Sequence, residues 1–146
     1  MNSNLIIRLA HETDADVMAE LTNALGYQAN ASGIGERLNE LLKSPDHLVL
    51  VAETDKQICA WLQAHSYVAL ESGFQVEIVG LVVAANRRRQ GVGKLLVQHA
   101  ERWAARLKAK TMVVRSNITR AESHAFYPAL GYFESKTQTV YQKFIE

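Results

Sequence analysis

Between an apolar run and an amphipathic one, the chain carries Arg88-Arg89-Gln90-Gly91-Val92-Gly93-Lys94. Phe74 to Ala84, just before it, is mostly apolar with one acid, Glu77, the pattern of a central strand covered on both faces. After it, Leu95, Leu96, His99, Trp103 and Leu107 recur at helical spacing and predict a helix to about Lys108. Strand, glycine loop and helix in that order restrict both the fold and what the loop can hold. A helix begins with backbone N–H groups that lack an intrahelical partner, and its dipole makes that end partly positive. A tight loop ahead of it aims further N–H groups at the same point wherever a missing Cβ leaves room. Gly91 and Gly93 supply that access, and Arg88, Arg89 and Lys94 add full charges. Such a loop is a phosphate site. On these residues alone, a glycine-started helix with solvated arginines is the plain alternative.

The charge distribution points the same way. A net charge of +1 hides a partition: residues 1–83 carry four Lys/Arg against eleven Asp/Glu, residues 84–120 ten against one, and residues 121–146 two against three. An anionic ligand is expected on the middle of the chain, and the acidic first half suits a cationic second ligand. The loop is neither the G-x-x-x-x-G-K-[ST] pattern of nucleotide hydrolases nor the G-x-G-x-x-G dinucleotide fingerprint.

No repeat or linker-like shift divides the 146 residues, so one domain over 1–146 is expected. No apolar run is long enough to cross a bilayer, and Met1-Asn2-Ser3-Asn4 lacks a signal-peptide pattern, so neither a membrane nor a secretory route is expected and the cytoplasm is. Cys59 is a single cysteine, read as a small buried apolar residue in a strand.

Leu5 to Leu9 reads as a short strand. Thr13 and Asp16 resemble a capping box for a first helix ending near Gly26, and a second helix should start near Ser32-Gly33 with Leu38, Leu41 and Leu42 on one face. His47–Glu53 and Gln57–Gln63 are strands joined at hairpin distance, and Glu71-Ser72-Gly73 is a turn into the central strand. Thr111–Arg115 is a further strand, Glu122–Leu130 a short helix closed by Gly131, and Phe133–Phe144 should hold one or two final strands. The order predicts an α/β sandwich with a mixed sheet.

Arg88-Arg89-Gln90-Gly91-Val92-Gly93 matches [RQ]-x-x-G-x-[GA], and in this respect the chain resembles the coenzyme A pyrophosphate loop of the GNAT superfamily of N-acetyltransferases. The preceding strand Ile78-Val79-Gly80-Leu81-Val82-Val83, Asn117 after the next strand, and Phe126-Tyr127-Pro128-Ala129-Leu130-Gly131-Tyr132 are similar to family features in the same order. The resemblance spans residues 74–132. It implies a GNAT-like α/β sandwich, with a central mixed, mostly antiparallel sheet and about four flanking helices. It also implies transfer of acetyl from acetyl-CoA to a primary amine of a small molecule or peptide, by direct attack in a ternary complex, without a metal. Relatives are often homodimers.

Acetyl transfer makes three demands: a deprotonated amine, since an alkylammonium near pKa ~10 cannot attack, a donor to the thioester oxygen, and a proton for the departing thiolate. By resemblance, Tyr127 is the general acid, with a packing tyrosine as its alternative. The Leu81 backbone N–H serves the oxyanion, and the pantetheine arm runs along Leu81, Val82 and Val83. Arg88, Arg89, Gln90, Gly91, Val92, Gly93 and Lys94 hold the pyrophosphate, and Phe126 belongs to the same coenzyme site. Glu77, fourteen residues before Gly91, looks like the catalytic glutamate of histone-type members, although a salt-bridged glutamate or a base made of water fits the residues too. Asn117 resembles the asparagine that contacts pantetheine or thiol. Arg120 stands where asparagine is common and could reach the adenosine phosphates. His65 and His124 are candidate relays. The five histidines show no metal-binding pair. A non-catalytic acetyl-CoA sensor and a nucleic-acid binder are the rival functions, the second weakened because only Trp103 interrupts the basic region.

Overall fold

The computed structural model describes residues 4–115 and 121–146, with side chains from residue 124 in the second segment. It contains β1 (Ile6–Leu9), α1 (Ala15–Asn23), α2 (Ala31–Leu42), β2 (His47–Thr54), β3 (Gln57–Ala69), β4 (Gly73–Val83), α3 (Val92–Arg106), β5 (Met112–Val114) and α4 (Ala121–Ala129), with single 3-10 turns at Glu12–Asp14 and Ala85–Arg87. The chain divides into two compact units, Met1–Arg115 and Ser116–Glu146.

In the first unit the five strands lie in chain order, β1-β2-β3-β4-β5. β1 to β4 are antiparallel, and β5 joins β4 in parallel. This is the mixed, mostly antiparallel sheet expected. The β2–β3 hairpin turns on Asp55 (φ 52°) and Lys56 (φ 65°), both left-handed, as a two-residue turn matched to strand twist requires. The two faces of the sheet separate by alternation. Val49 and Val51 pack with Ala10, Ala15, Met18 and Leu38, against which Ile34, Leu41 and Trp61 also rest. The intervening Leu48, Leu50, Leu62 and Ala64 are buried on the opposite face, where α3 crosses β2, β3 and β4 with Leu96, Val97 and Ala100 shut from solvent. Each fully buried aliphatic side chain contributes roughly 1.5–3 kcal/mol. Cys59 is buried in β3 as expected, and burial pushes its thiol pKa up.

Two sequence expectations shift. The first helical segment is capped earlier than Thr13: the His11 N–H donates to Asp14 Oδ2 at 2.7 Å. Asp14 is drawn there by Arg8, whose guanidinium meets both carboxylate oxygens at 2.9 and 3.1 Å. Charge pairing with the preceding strand overrode the expected capping pattern. The second helix begins as expected, its N-cap Asn30 accepting from the Gly33 N–H at 2.6 Å. The final strands expected over Phe133–Phe144 are absent, because residues 133–146 lie in no helix or strand.

In the second unit α4 ends in a Schellman motif. The Tyr132 N–H reaches back to the Tyr127 carbonyl at 3.1 Å, and the Gly131 N–H to Pro128 at 3.0 Å, with Gly131 at φ 95° in the C′ place expected for it.

Candidate active site

The loop ahead of α3 is shaped by backbone rather than by packing. Arg89 sits at φ 63° and Gly91 at φ 82°. Gly91 is the residue before α3 and offers no capping side chain, so the first-turn N–H groups are not met there by the usual Ser or Asp oxygen. Its carbonyl receives the first helical bond, from Leu95 at 3.1 Å. The Gln90 amide donates to the Asn86 carbonyl at 3.2 Å and ties the loop to its own start. Val92 is buried and anchors the turn, whereas Arg88, Arg89, Gln90, Gly91 and Lys94 are exposed and Gly93 half-buried. A helix N-terminus with basic side chains around it can hold a diphosphate.

Upstream, β4 carries a bulge. Gln63 pairs with Gly80 and Ala64 with Ile78, leaving Val79 as an extra residue. Its effect can be followed through the hydrogen bonds. Before the bulge, the Val76 N–H donates toward β5, to Thr111 at 3.3 Å; after it, the Ala84 N–H donates toward β3, to Cys59 at 2.8 Å. Even-numbered N–H groups thus face β5 at one end of the strand and β3 at the other. Alternation therefore turns the Leu81 and Val83 N–H groups away from β3. Among the described residues, pairing with β5 stops at Ile78, so that edge of β4 is open beyond it. Val82, between the two, is tied to β3 opposite Trp61 and is buried.

Glu77 lies on the face covered by α1 and α2. Its Oε2 is 2.6 Å from Arg115 Nη1, and its Oε1 is 3.6 Å from His65 Nε2. The Glu77 hydrogen bond, helped by its charge, raises the Arg115 pKa above the ordinary value. His65 stacks between His47 (5.6 Å between centroids) and Tyr67 (5.1 Å), and the Tyr67 hydroxyl donates to Gln75 at 2.9 Å. A polar ladder thus crosses β2, β3, β4 and the end of β5. It continues along β3 through Gln63 and Trp61 into a groove of about 280 Å³ under α1 and α2, lined by Met18, Ile34 and Leu41 with one residue of each charge, Arg37 and Glu40. Trp61 forms the wall nearest β4. Its indole N–H donates to Thr22 Oγ1 at 3.2 Å, and its ring covers Gly80, where an added Cβ would come within 2.9 Å of it.

Tyr127 belongs to the second unit. It contacts Phe126 edge-on at 4.9 Å and Tyr132 at 5.7 Å, and burial pushes its phenol up to about 12. His124 is exposed on the same helix. Asn117 and Arg120 lie outside the described residues. Among the described residues, no group of three His, Cys, Asp or Glu side chains could hold a metal ion, and no helix is long and apolar enough to cross a membrane. The sequence pointed to the loop, the β4 edge, Glu77 and Tyr127 as candidates; Glu77 is salt-bridged to Arg115, the alternative stated for it. Arg115, Gln63, Trp61 and the His47–His65 stack were not assigned together, because register across four strands assembles them.

A model of the acetyltransferase (GNAT) family matches residues 15–132. The chain belongs to the GNAT acetyltransferases. It is 28% identical over 144 residues to an aminoglycoside N(6')-acetyltransferase type 1 of Acinetobacter haemolyticus, covering 96% of this chain and 99% of that one. An aminoalkylphosphonate N-acetyltransferase of Salmonella typhimurium is 28% identical over 138 residues, with 89% and 87% covered. Among solved structures, the apo aminoglycoside antibiotic 6'-N-acetyltransferase AAC(6')-IG of Acinetobacter haemolyticus superposes with a TM-score of 0.84 at 26% identity, over 97% and 99% of the two chains. AAC(6')-Iy in complex with the bisubstrate analog CoA-S-monomethyl-acetylneamine shares the fold, with a TM-score of 0.85 at 21% identity over 98% and 100%. This GNAT chain is an acetyl-CoA-dependent N-acetyltransferase, and acetyl-CoA is its donor.

Proposed function

We propose that this acetyltransferase modifies a primary amine on a small polycationic acceptor of the amino-sugar type, by direct attack of the amine on the bound thioester. The carrying observation is the open β4 edge that runs from the bulge at Val79 to the glycine loop ahead of α3. Backbone donors alternate along it, so a pantetheine amide can pair with Val83 as an added strand would. The thioester oxygen then falls to the Leu81 N–H as negative charge builds on it. The pyrophosphate rests on the first turn of α3, with Arg88, Arg89 and Lys94 around it and Gln90, Gly91, Val92 and Gly93 shaping the turn. By the family resemblance we also assign Phe126, Asn117 and Arg120 to the donor.

The acceptor occupies the groove under α1 and α2. Trp61 and the aliphatic side chains offer a flat apolar wall, Gln63 and Glu40 offer polar partners for amines, and Arg37 offers a donor to hydroxyls. A cationic acceptor also suits the excess of eleven acids over four bases in residues 1–83. That curated relatives over most of this chain are named aminoglycoside N(6')-acetyltransferases supports the class. Glu77 takes the amine proton, directly or through water, with Arg115 fixing the carboxylate in place. Tyr127 returns a proton to the leaving thiolate, its phenol held in the protonated form by burial. The chain acts in the cytoplasm, where acetyl-CoA is available.

The test is an amine panel of aminoglycosides, polyamines, amino acids and peptide N-termini, assayed by release of free thiol from acetyl-CoA. Turnover confined to amino sugars, with the product acetylated at one amine by mass spectrometry, supports the proposal. Turnover confined to peptides sinks it.

A further inference from the structure

The groove under α1 and α2 is not evenly charged. Two ionised side chains line it, Arg37 and Glu40, three residues apart on α2. Opposite charges at this spacing, with Cβ atoms roughly 5–6 Å apart, commonly pair across one turn of helix. These two do not. Among the described residues, neither side chain enters a hydrogen bond or an ion pair, and both are exposed at the groove.

A missing side chain sets where the Arg37 guanidinium goes instead. It lies back over the preceding turn at Gly33, where a Cβ would stand 3.2 Å from Nη1 and 3.5 Å from Nη2. The first turn of α2 carries no acid, and that end of a helix is the positive end of its dipole. The sheet side of the groove brings Val49, Trp61 and Gln63, none of them charged. A full positive charge therefore faces the groove with no carboxylate across from it, and Glu40 stands one turn further along the helix. The net acidity of residues 1–83 conceals this local reversal of sign.

We propose that Arg37 is a specificity-determining residue, which admits a sugar ring that presents hydroxyls to it and turns away one that bears a second ammonium beside the reacting amine. The inference rests on the reading of this groove as the acceptor site. A guanidinium only donates hydrogen bonds. A hydroxyl oxygen accepts from it, whereas an ammonium is itself only a donor and meets a like charge. Glu40 does the reverse and takes an ammonium on a neighbouring ring. Positive charge on the acceptor is thus held at one end of the groove and excluded from the other.

Kanamycin A and kanamycin B read this directly. They differ at one carbon of the ring that carries the aminomethyl group, with a hydroxyl in the first and an amine in the second. At saturating acetyl-CoA, kcat/KM should favour kanamycin A by about fivefold, the cost of one like-charge contact at a solvated surface. Arg37→Lys keeps the charge and should keep the preference, Arg37→Gln should erase it, and Arg37→Glu should reverse it. A merely structural role would lower both rates together and leave their ratio alone. Turnover of both compounds at a ratio that Arg37→Glu does not move overturns this inference and leaves the amino-sugar reading standing. Turnover of neither by the unaltered enzyme removes that reading, and the inference with it. Should the variants fail to bind acetyl-CoA by calorimetry, salt decides on the unaltered protein. The preference for kanamycin A must shrink as ionic strength rises, and a preference that grows or holds constant overturns the role of Arg37.

Discussion

Two regions of the first unit are built in different ways. The glycine loop with the β4 edge, the proposed donor site, is made of backbone: the groups it offers are N–H donors, and side chains matter there mostly by being small or by adding charge. The ladder from His47 through His65 and Glu77 to Arg115 is a site of side chains, assembled from strands and held by ion pairing and ring stacking. The first region is a contiguous piece of sequence, whereas the second exists only once register is set. The loop region therefore suits a donor common to a whole family, and the ladder with its adjoining groove is free to vary with the acceptor.

If that division holds, substitutions separate by which kinetic constant they move. The largest effect is expected for Glu77→Gln, with kcat down by about 10²–10⁴-fold and the acetyl-CoA dissociation constant by calorimetry unchanged. Weakened donor binding in that variant would merge the two regions into one. Tyr127→Phe should reduce kcat by about 10²-fold, again with donor binding intact. Unaltered turnover would take the acid role away from Tyr127. Arg88→Ala with Gly91→Ala works from the other side. An alanine at φ 82° costs about 1–2 kcal/mol, and one charge is lost besides, so donor affinity should fall at least about tenfold while turnover at saturating donor persists.

Asp14→Asn probes the scaffold beneath both regions and should cost about 2 kcal/mol in denaturant unfolding, since it takes the closest carboxylate from a partly buried Arg8 and leaves it Glu53 at 3.6 Å. Burial pushes the Asp14 carboxyl up, but the Arg8 hydrogen bond and the His11 amide outweigh it and the pKa lies below the ordinary value. Its stabilisation is therefore complete above the unfolded value of about 3.9 and is lost as pH falls through the folded value. The two proteins should thus converge in stability in acid. Parallel stability curves down to low pH would rule out the pair as the cause. Gly80→Ala is the mildest change. It displaces the Trp61 ring and should raise the acceptor KM a few-fold while leaving the donor KM alone.

What could be read in advance follows the same divide. The loop, α3 and β4 were legible because glycine position, apolar runs and helical spacing are local. So was Glu77, as an acid in an apolar strand. Its partner Arg115 was not legible as such, since the pairing needs β5 to lie parallel beside β4. Trp61 and Gln63 became the groove wall only through the β2–β3–β4 register. The Thr13 cap failed for a related reason, as Arg8 claims Asp14 from a different element. Residues 133–144 read as strand because composition says what a segment would suit and not whether a partner stands beside it.

The bulge at Val79 has a consequence of a different kind: it stores functional information in a count. Half-exposed and with no charge or hydroxyl to offer, Val79 should accept many replacements, and a scan that changes one side chain at a time would pass over it. Removing the residue is another matter. A β4 shorter by one would hand the Leu81 and Val83 N–H groups back to β3 and present Val82 in their place, with every side chain still spelled correctly. In this strand the number of letters outweighs the letter.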